Sequence, residues 1–424
     1  MSKIQADLIV NNAKQLVTMR GHSQKPAIGH EMERLGILEH ASIAINNDQI
    51  VFVGSADEVK ERYSPNLMID ATNKAVTPGL VDPHTHFVFA GSREHELELK
   101  IKGAEYLEIL RQGGGILRTV RDTRATPKSE LLRICTERAH RLLCNGTTTI
   151  EAKSGYGLNL KDEIKILEVI SELNRAGPLA LVPTFLGAHA IAPEFANKVS
   201  EQVRAICDEW IPKIAERKLA MFCDVFCEKG VFEIQDSREI LEAGIRGGLR
   251  PKIHADELYP LGGAELAAEM GAISADHLLY ASATGLSEMR RANVIATVLP
   301  AAPLTLMIDK YADARGIITE GVPLAIGSDL CPSCWVDNQQ MVIALACYKL
   351  RLTPAEALTA STINAAHAIG KGGEIGSIEV GKKADLIVLD APDYRFLGYR
   401  FGSNQVNTVV KNGKLVVREG RLVA

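Results

Sequence analysis

The chain has 424 residues, 46% of them apolar, enough for one large core or two to three ordinary ones. Forty-eight basic against 52 acidic residues leave a net charge of −4, which gives no ground for a nucleic-acid or membrane-surface partner. No window approaches the roughly 18 apolar residues of a membrane span, and eight scattered cysteines without framework spacing predict a reducing, cytoplasmic setting.

Residues 1–75 read as short strands. "ADLIVNNAKQLVTM" and "ASIAINNDQIVFVGS" alternate, carry β-branched side chains and place Asn-Asn pairs at predicted turns. From residue 76 the rhythm changes. The apolar run "AVTPGLVDPHTHF" ends in His84 and His86, which alternation puts on one face of an extended segment, and Arg93 follows closely. The stretch "RQGGGI" at 111–116 has no Gly-Lys-Ser/Thr after it, so a phosphate loop is excluded and a flexible loop tip or a glycine-rich lid remains.

Further short apolar runs recur down the chain. "TTTIEAKSGY" ends in Tyr156, "LALVPTFLGAHA" brings His189, "LAMFCDVFCEKG" brings Glu228, and "RPKIHADE" brings His254 and Glu257. "AISADHLLY" carries His277, "NVIATVLP" carries no ionisable group, and "VPLAIGSD" ends in Asp329. Helical patterns such as "KDEIKILEVISELNRAG" and "ANKVSEQVRAICDEWIPKIAERK" separate them, the first with acids leading and a glycine closing. Eight strand candidates alternating with helices predict a (β/α)8 TIM-like barrel over 76–372, in the α/β class. In such a barrel the carboxyl ends of the strands form the active-site mouth, which is where these polar residues cluster. Residues 373–424 return to strands, "KKADLIVLD", "QVNTVVKNGKLVV" and "REGRLV", around Asn-Gly and Glu-Gly turns. Both ends together predict one small sheet domain.

His84 and His86, with His254 and Asp329 from later strands, make a three-histidine, one-aspartate set that suits zinc and also iron. Such a metal lowers the pKa of a bound water toward neutrality. Glu257 and His277 stand ready to take and return the proton, with the base and the acid left undivided.

At these residues the chain resembles the amidohydrolase superfamily: "PGLVDPHTH" on the first strand, histidines on the fifth and sixth, and an aspartate on the eighth. Within it the resemblance is to the imidazolonepropionase family, carried by "EAKSGYGL", "FLGAHA", "DVFCEKGVF" and "ADHL" and running over essentially the whole chain. The resemblance implies a composite β-sandwich beside the barrel and one Zn2+ or Fe3+ per subunit. It implies a homodimer, and a small-molecule substrate, 4-imidazolone-5-propanoate, opened to N-formimidoyl-L-glutamate in histidine degradation. It implies a metal-activated water attacking the ring amide, with Glu257, His277 and Asp329 catalytic. It also implies Arg93 on the propanoate, a carboxylate matched to a guanidinium fork, and Tyr156, His189 and Glu257 as further substrate contacts.

One stretch departs from that pattern. After the eighth strand this chain reads "DLCPSCWVD", where the family commonly carries a Phe-Asn-Pro-Gly-Ser type of turn that touches substrate. Cys331, Ser333 and Cys334 take those substrate-binding places, so an amide is replaced by a thiol. The C-x-x-C spacing is open to packing thiols or to a pair sensitive to oxidation. Two rival readings of the whole stay open: a metal-dependent deaminase of a purine or pyrimidine, whose mostly neutral substrates leave Arg93 idle, and a non-catalytic metal-binding barrel.

Overall fold

The computed structural model describes residues 3–103 and 114–423. Eight parallel strands form the barrel: Leu80–Asp82, Thr147–Lys153, Ala180–Ala188, Phe222–Cys227, Ile253–Ala255, Ser274–His277, Ile295–Val298 and Leu324–Ile326. They pair in chain order from first to eighth, as right-handed β-α-β crossovers require. The ring closes at the carboxyl ends. Thr85 bridges Leu330, the His86 N–H donates to the Leu330 carbonyl at 2.9 Å, and the Asp329 N–H donates to the His84 carbonyl at 3.1 Å. Three predicted metal ligands therefore sit on the backbone rungs that close the barrel.

The helices follow their predicted patterns with one departure. Leu160–Ala176 starts at Asn159, whose side chain accepts from the Asp162 N–H, buries Ile166, Ile170 and Leu173, and stops at Gly177. The helix predicted after the third strand is instead Val199–Ala205, a π turn at Ile206–Trp210, and Ile211–Glu216. Pro212 has no N–H to continue the ladder, and the wider π turn absorbs the break.

Both ends of the chain build the second layer. Four strands, Gln49–Ser55, Ala41–Asn46, Ile4–Ala13 and Tyr63–Asp70, form one sheet in that order. The facing sheet joins amino-terminal strands Gln15–Val17, Ile37–Leu38 and Ala75–Pro78 to carboxy-terminal strands Leu386–Leu389, Val406–Lys411, Lys414–Arg418 and Arg421–Leu422. Leu8, Val10, Ile43, Val76, Leu386 and Val410 fill the space between them. Of the two Asn-Asn pairs, Asn46-Asn47 lies at a hairpin turn as predicted. Asn11-Asn12 lies inside Ile4–Ala13, where the pairing register slips and Asn12 takes a φ of 56°. It is a bulge rather than a turn, because both flanks keep pairing with Ala41–Asn46.

Candidate active site

Seven of the eight barrel strands, all but Ile295–Val298, deliver a polar residue at the carboxyl end, and most of these converge. His84, His86, His254 and His277 are at most 3% exposed and Asp329 is 8% exposed, so bulk solvent barely reaches their polar atoms. The Asp329 Oδ1 lies 3.6 Å from His84 Nε2 and 3.5 Å from His86 Nε2, and His86 Nε2 lies 3.4 Å from His254 Nε2. Four ligands about 2.1 Å from one ion at tetrahedral angles stand about 3.4 Å apart. These three separations match that spacing, and His84, His86 and Asp329 offer ligand atoms that all lie within 4.8 Å of one another. His84 Nε2 has no hydrogen-bond partner among the described residues although it is buried, an orphan that a cation would satisfy. Burial holds His84, His86 and His254 well below the usual imidazole range, so all three present neutral rings. Burial pushes the Asp329 carboxyl up to about 8, and a divalent cation is the partner that keeps such a group ionised. The cluster fits a divalent metal.

Backbone conformation aims two of these side chains. His277 and Asp329 adopt φ values of 75° and 56°, in the left-handed region that non-glycine residues rarely enter.

Beneath the mouth lies a second layer. His84 Nδ1 donates to Asp276 Oδ2 at 2.6 Å, which leaves Nε2 with its lone pair toward the donor cluster. His254 Nδ1 lies 3.1 Å from Asp224 Oδ2. Lys153 bridges these carboxylates, with Nζ 2.7 Å from Asp224, 2.9 Å from Glu151 and 3.5 Å from Asp276. Lys252 adds contacts at 3.4 Å to Glu151 and 3.8 Å to Asp276. Burial works against a charge on Asp276, but Lys252 and Lys153 override it and hold the carboxyl below the usual range. Asp82 accepts from both the N–H and the hydroxyl of Ser328, tying the first strand to the eighth. Sequence reading missed this layer. Its signal was present: Asp82, Glu151 and Lys252 stand two residues before His84, Lys153 and His254, on the same face by alternation.

The remaining predicted residues surround the cluster. His277 Nδ1 lies 3.5 Å from Glu257 Oε1; burial brings the imidazole down to about 4 and pushes the carboxyl well up. His189 stacks on His86 with ring centroids 4.5 Å apart and planes at 8°, and donates from Nδ1 to the Gly155 carbonyl at 3.1 Å. The Tyr156 ring stands 5.3 Å from His189 and 5.8 Å from His86. Arg93 precedes the helix Glu94–Ile101 and donates from Nε and Nη2 to Glu96 Oε2 at 2.9 and 2.7 Å, so Glu96 sets the plane of its guanidinium.

Glu228, grouped with the mouth residues by its strand-end position, accepts from the Lys229 and Leu258 N–H groups at 2.8 Å each and braces loops. Cys331 and Cys334 are buried free thiols joined by reciprocal backbone hydrogen bonds of 3.0 and 3.2 Å. Cys331 Sγ lies 3.2 Å from the Ser333 hydroxyl, and the Cys334 thiol donates to the Ser328 carbonyl at 3.5 Å. Burial pushes the Cys331 thiol up to about 12 and Cys334 well up, against thiolate chemistry. The lid reading of the glycine run begins at 111–113, outside the described residues. Gly115, at its end, donates its N–H to Glu96 Oε1 at 2.7 Å.

Residues 234–416 match the model of the amidohydrolase family. Curated relatives named imidazolonepropionase include one from Alkaliphilus metalliredigens, 49% identical over 98% of this chain and 99% of its own. One from Geobacillus kaustophilus shares the same identity and coverage, and one from Parabacteroides distasonis is 45% identical over 96% of this chain and 98% of its own. Among solved structures, an adenosine deaminase from Xanthomonas campestris with bound zinc superposes with a TM-score of 0.72 at 19% identity, covering 100% and 95% of the two chains. A zinc-complexed atrazine chlorohydrolase from Arthrobacter aurescens gives 0.65 at 16%, covering 98% and 96%. At those identities the structures speak for the fold alone.

Proposed function

The chain belongs to the imidazolonepropionase family, and from that premise we propose that it hydrolyses 4-imidazolone-5-propanoate to N-formimidoyl-L-glutamate, in histidine degradation. The observation that carries this reading is identity near one half over almost the full length of both chains. The donor geometry at the barrel mouth agrees in chemical kind.

His84, His86, His254 and Asp329 would hold the metal, Zn2+ or Fe3+, one per subunit. Bound there, it supplies Lewis acidity toward the ring carbonyl and lowers the pKa of water. The chain's own groups do the rest. Arg93, braced by Glu96, binds the propanoate and fixes which end of the substrate enters first. Tyr156 and His189 line the ring's side of the pocket, and Cys331, Ser333 and Cys334 form the opposite turn. Glu257 Oε1 and His277 Nδ1, 3.5 Å apart, together take the proton from the attacking water and return it to the departing ring nitrogen. Asp329 doubles as an acceptor toward that water. Breaking the ring C–N bond then gives the open formimidoyl product. A homodimer in the cytoplasm completes the proposal; exposed Tyr348, Tyr399 and Phe401 offer an apolar surface for it, and light scattering reads the mass.

The test is direct. Purified, metal-analysed protein is mixed with fresh imidazolone propanoate, and loss of the ring's ultraviolet absorbance is followed beside the variant His86→Ala. Rapid loss in the parent alone supports the reading. A parent that carries stoichiometric metal and leaves the ring intact would overturn it and direct attention to deaminase substrates.

A further inference from the structure

The loop after the second barrel strand is held from both sides by residues that do not reach the pocket. Glu163 is fully buried, and its two oxygens accept three backbone N–H groups. Oε2 takes Gly155 at 2.9 Å, while Oε1 takes Gly157 at 2.7 Å and Leu158 at 2.8 Å. On the other side, Arg124 donates from Nε to the Gly157 carbonyl at 2.6 Å and from Nη2 to the Leu158 carbonyl at 3.1 Å. Arg124 also pairs with Glu194, beyond the third strand, so it links the loop carrying Tyr156 to the loop carrying His189.

The loop needs such fixing. Gly155 adopts a φ of 113°, and a Cβ there would stand 2.9 Å from His189 Nδ1. Leu158 also has a positive φ, 48°. A strained backbone persists only where its surroundings over-determine it. What the loop presents is the Tyr156 ring and the Gly155 carbonyl that fixes the ring nitrogen of His189.

We propose that Glu163 and Arg124 are positioning residues that clamp the 154–158 loop and thereby set Tyr156 and His189 against the substrate. The proposal rests on the reading of those two residues as substrate contacts. Glu163→Gln discriminates well, because the bonds divide between the oxygens. Glutamine keeps one oxygen for Gly157 and Leu158, and its amide then faces the Gly155 N–H with a donor. The Gly155 bond is lost, next to Tyr156, while the Ser154 hydroxyl that also bonds Glu163 can turn to accept from the amide.

The experiment is steady-state kinetics on the metal-loaded enzyme for Glu163→Gln, Tyr156→Phe, the double variant and Arg124→Ala, with metal content and melting temperature measured on each. The expected result for Glu163→Gln is a KM about five- to tenfold higher, as for loss of a single hydrogen bond, with kcat and metal content near the parent. In the Tyr156→Phe background the same change costs less than in the parent, because the share exerted through Tyr156 is gone and the share exerted through His189 remains. Arg124→Ala raises KM several-fold, and it carries the test should Glu163→Gln fail to fold. A raised KM in Tyr156→Phe beside parental KM in the clamp variants, with only their melting temperatures lowered, overturns the clamp alone. An unchanged KM in Tyr156→Phe and in the clamp variants alike overturns the substrate-contact reading and the clamp with it.

Discussion

Asp276 shows how much a single side chain decides here. Its contact with His84 Nδ1 at 2.6 Å fixes the ring tautomer, and its own position depends on Lys153 and Lys252 at 3.5 and 3.8 Å. Asp276→Asn keeps the shape and removes the anion. The expected outcome is metal affinity weaker by about 10- to 100-fold, read by competition with a chromogenic chelator. A dissociation constant within about twofold of the parent would show that the contact serves packing alone. The cysteines invite the opposite expectation. Reactive thiols need thiolate character and exposure, and Cys331 and Cys334 have neither. Peroxide should leave both thiols titratable and activity at its starting level. Joint loss of two thiols and activity would restore the oxidation-sensitive reading.

Among elements, the barrel was legible because all strands but the seventh end in a polar residue and the intervening helices keep their apolar spacing. The mouth was legible for the same reason, since a strand's last residue faces the mouth whatever the loop does afterwards. The second layer was not read, because Glu151, Lys153 and Asp224 lie inside apolar runs where a charge looks misplaced. Only the pairing of strands around the ring brings the compensating partners together. Turn chemistry also depends on neighbours, which is why Asn11-Asn12 reads as a turn in one dimension and proves to be a bulge. The connection from the barrel's last helix, Ile363–Ala368, to the sandwich gives a further case. Lys382 Nζ donates to the Gly372 carbonyl at 2.6 Å, the Ile375 carbonyl at 2.9 Å and the Ser377 hydroxyl at 2.6 Å. Burial brings this ammonium from 10.5 down to about 8. Between those values the unfolded chain binds more protons than the folded one, so this site's contribution to stability rises with pH across that window. At 1.36 kcal/mol per pKa unit the rise is at most about 3 kcal/mol. Urea unfolding of the parent and of Lys382→Met, from pH 7.5 to 10.5, should show the difference growing in the parent's favour. A difference flat with pH would assign Lys382 an ordinary pKa.

For the whole molecule, the two layers share side chains across their boundary. The largest core cluster runs from Leu80 and Ile150 in the barrel to Val17, Ile387, Leu389 and Val409 in the seven-stranded sheet. Asn364 binds the Ala27 backbone through both its oxygen and its nitrogen and also reaches the Leu324 carbonyl on the eighth strand. Lys411 pairs with Asp385 at 2.5 Å and lies 3.4 Å from Thr149 on the second strand. The strand Ala75–Pro78, which leads into the first barrel strand, pairs with Leu386–Leu389 from the other end of the chain. Unfolding the sandwich therefore removes the anchor of the strand that carries His84 and His86, and opening the barrel strips the sheet of its apolar floor. Calorimetry should show one transition, with van't Hoff and calorimetric enthalpies in a ratio near one. Chelation should move that transition down as a unit, since an ion bound at 100 times its dissociation constant adds about 2.7 kcal/mol to the whole fold. If the sandwich were an independent body, chelation would split the trace, with a barrel transition falling and a sandwich transition staying in place. The apolar cluster that joins Leu80 and Ile150 to Val17, Ile387 and Val409 argues for the single peak, because neither layer keeps that core without the other.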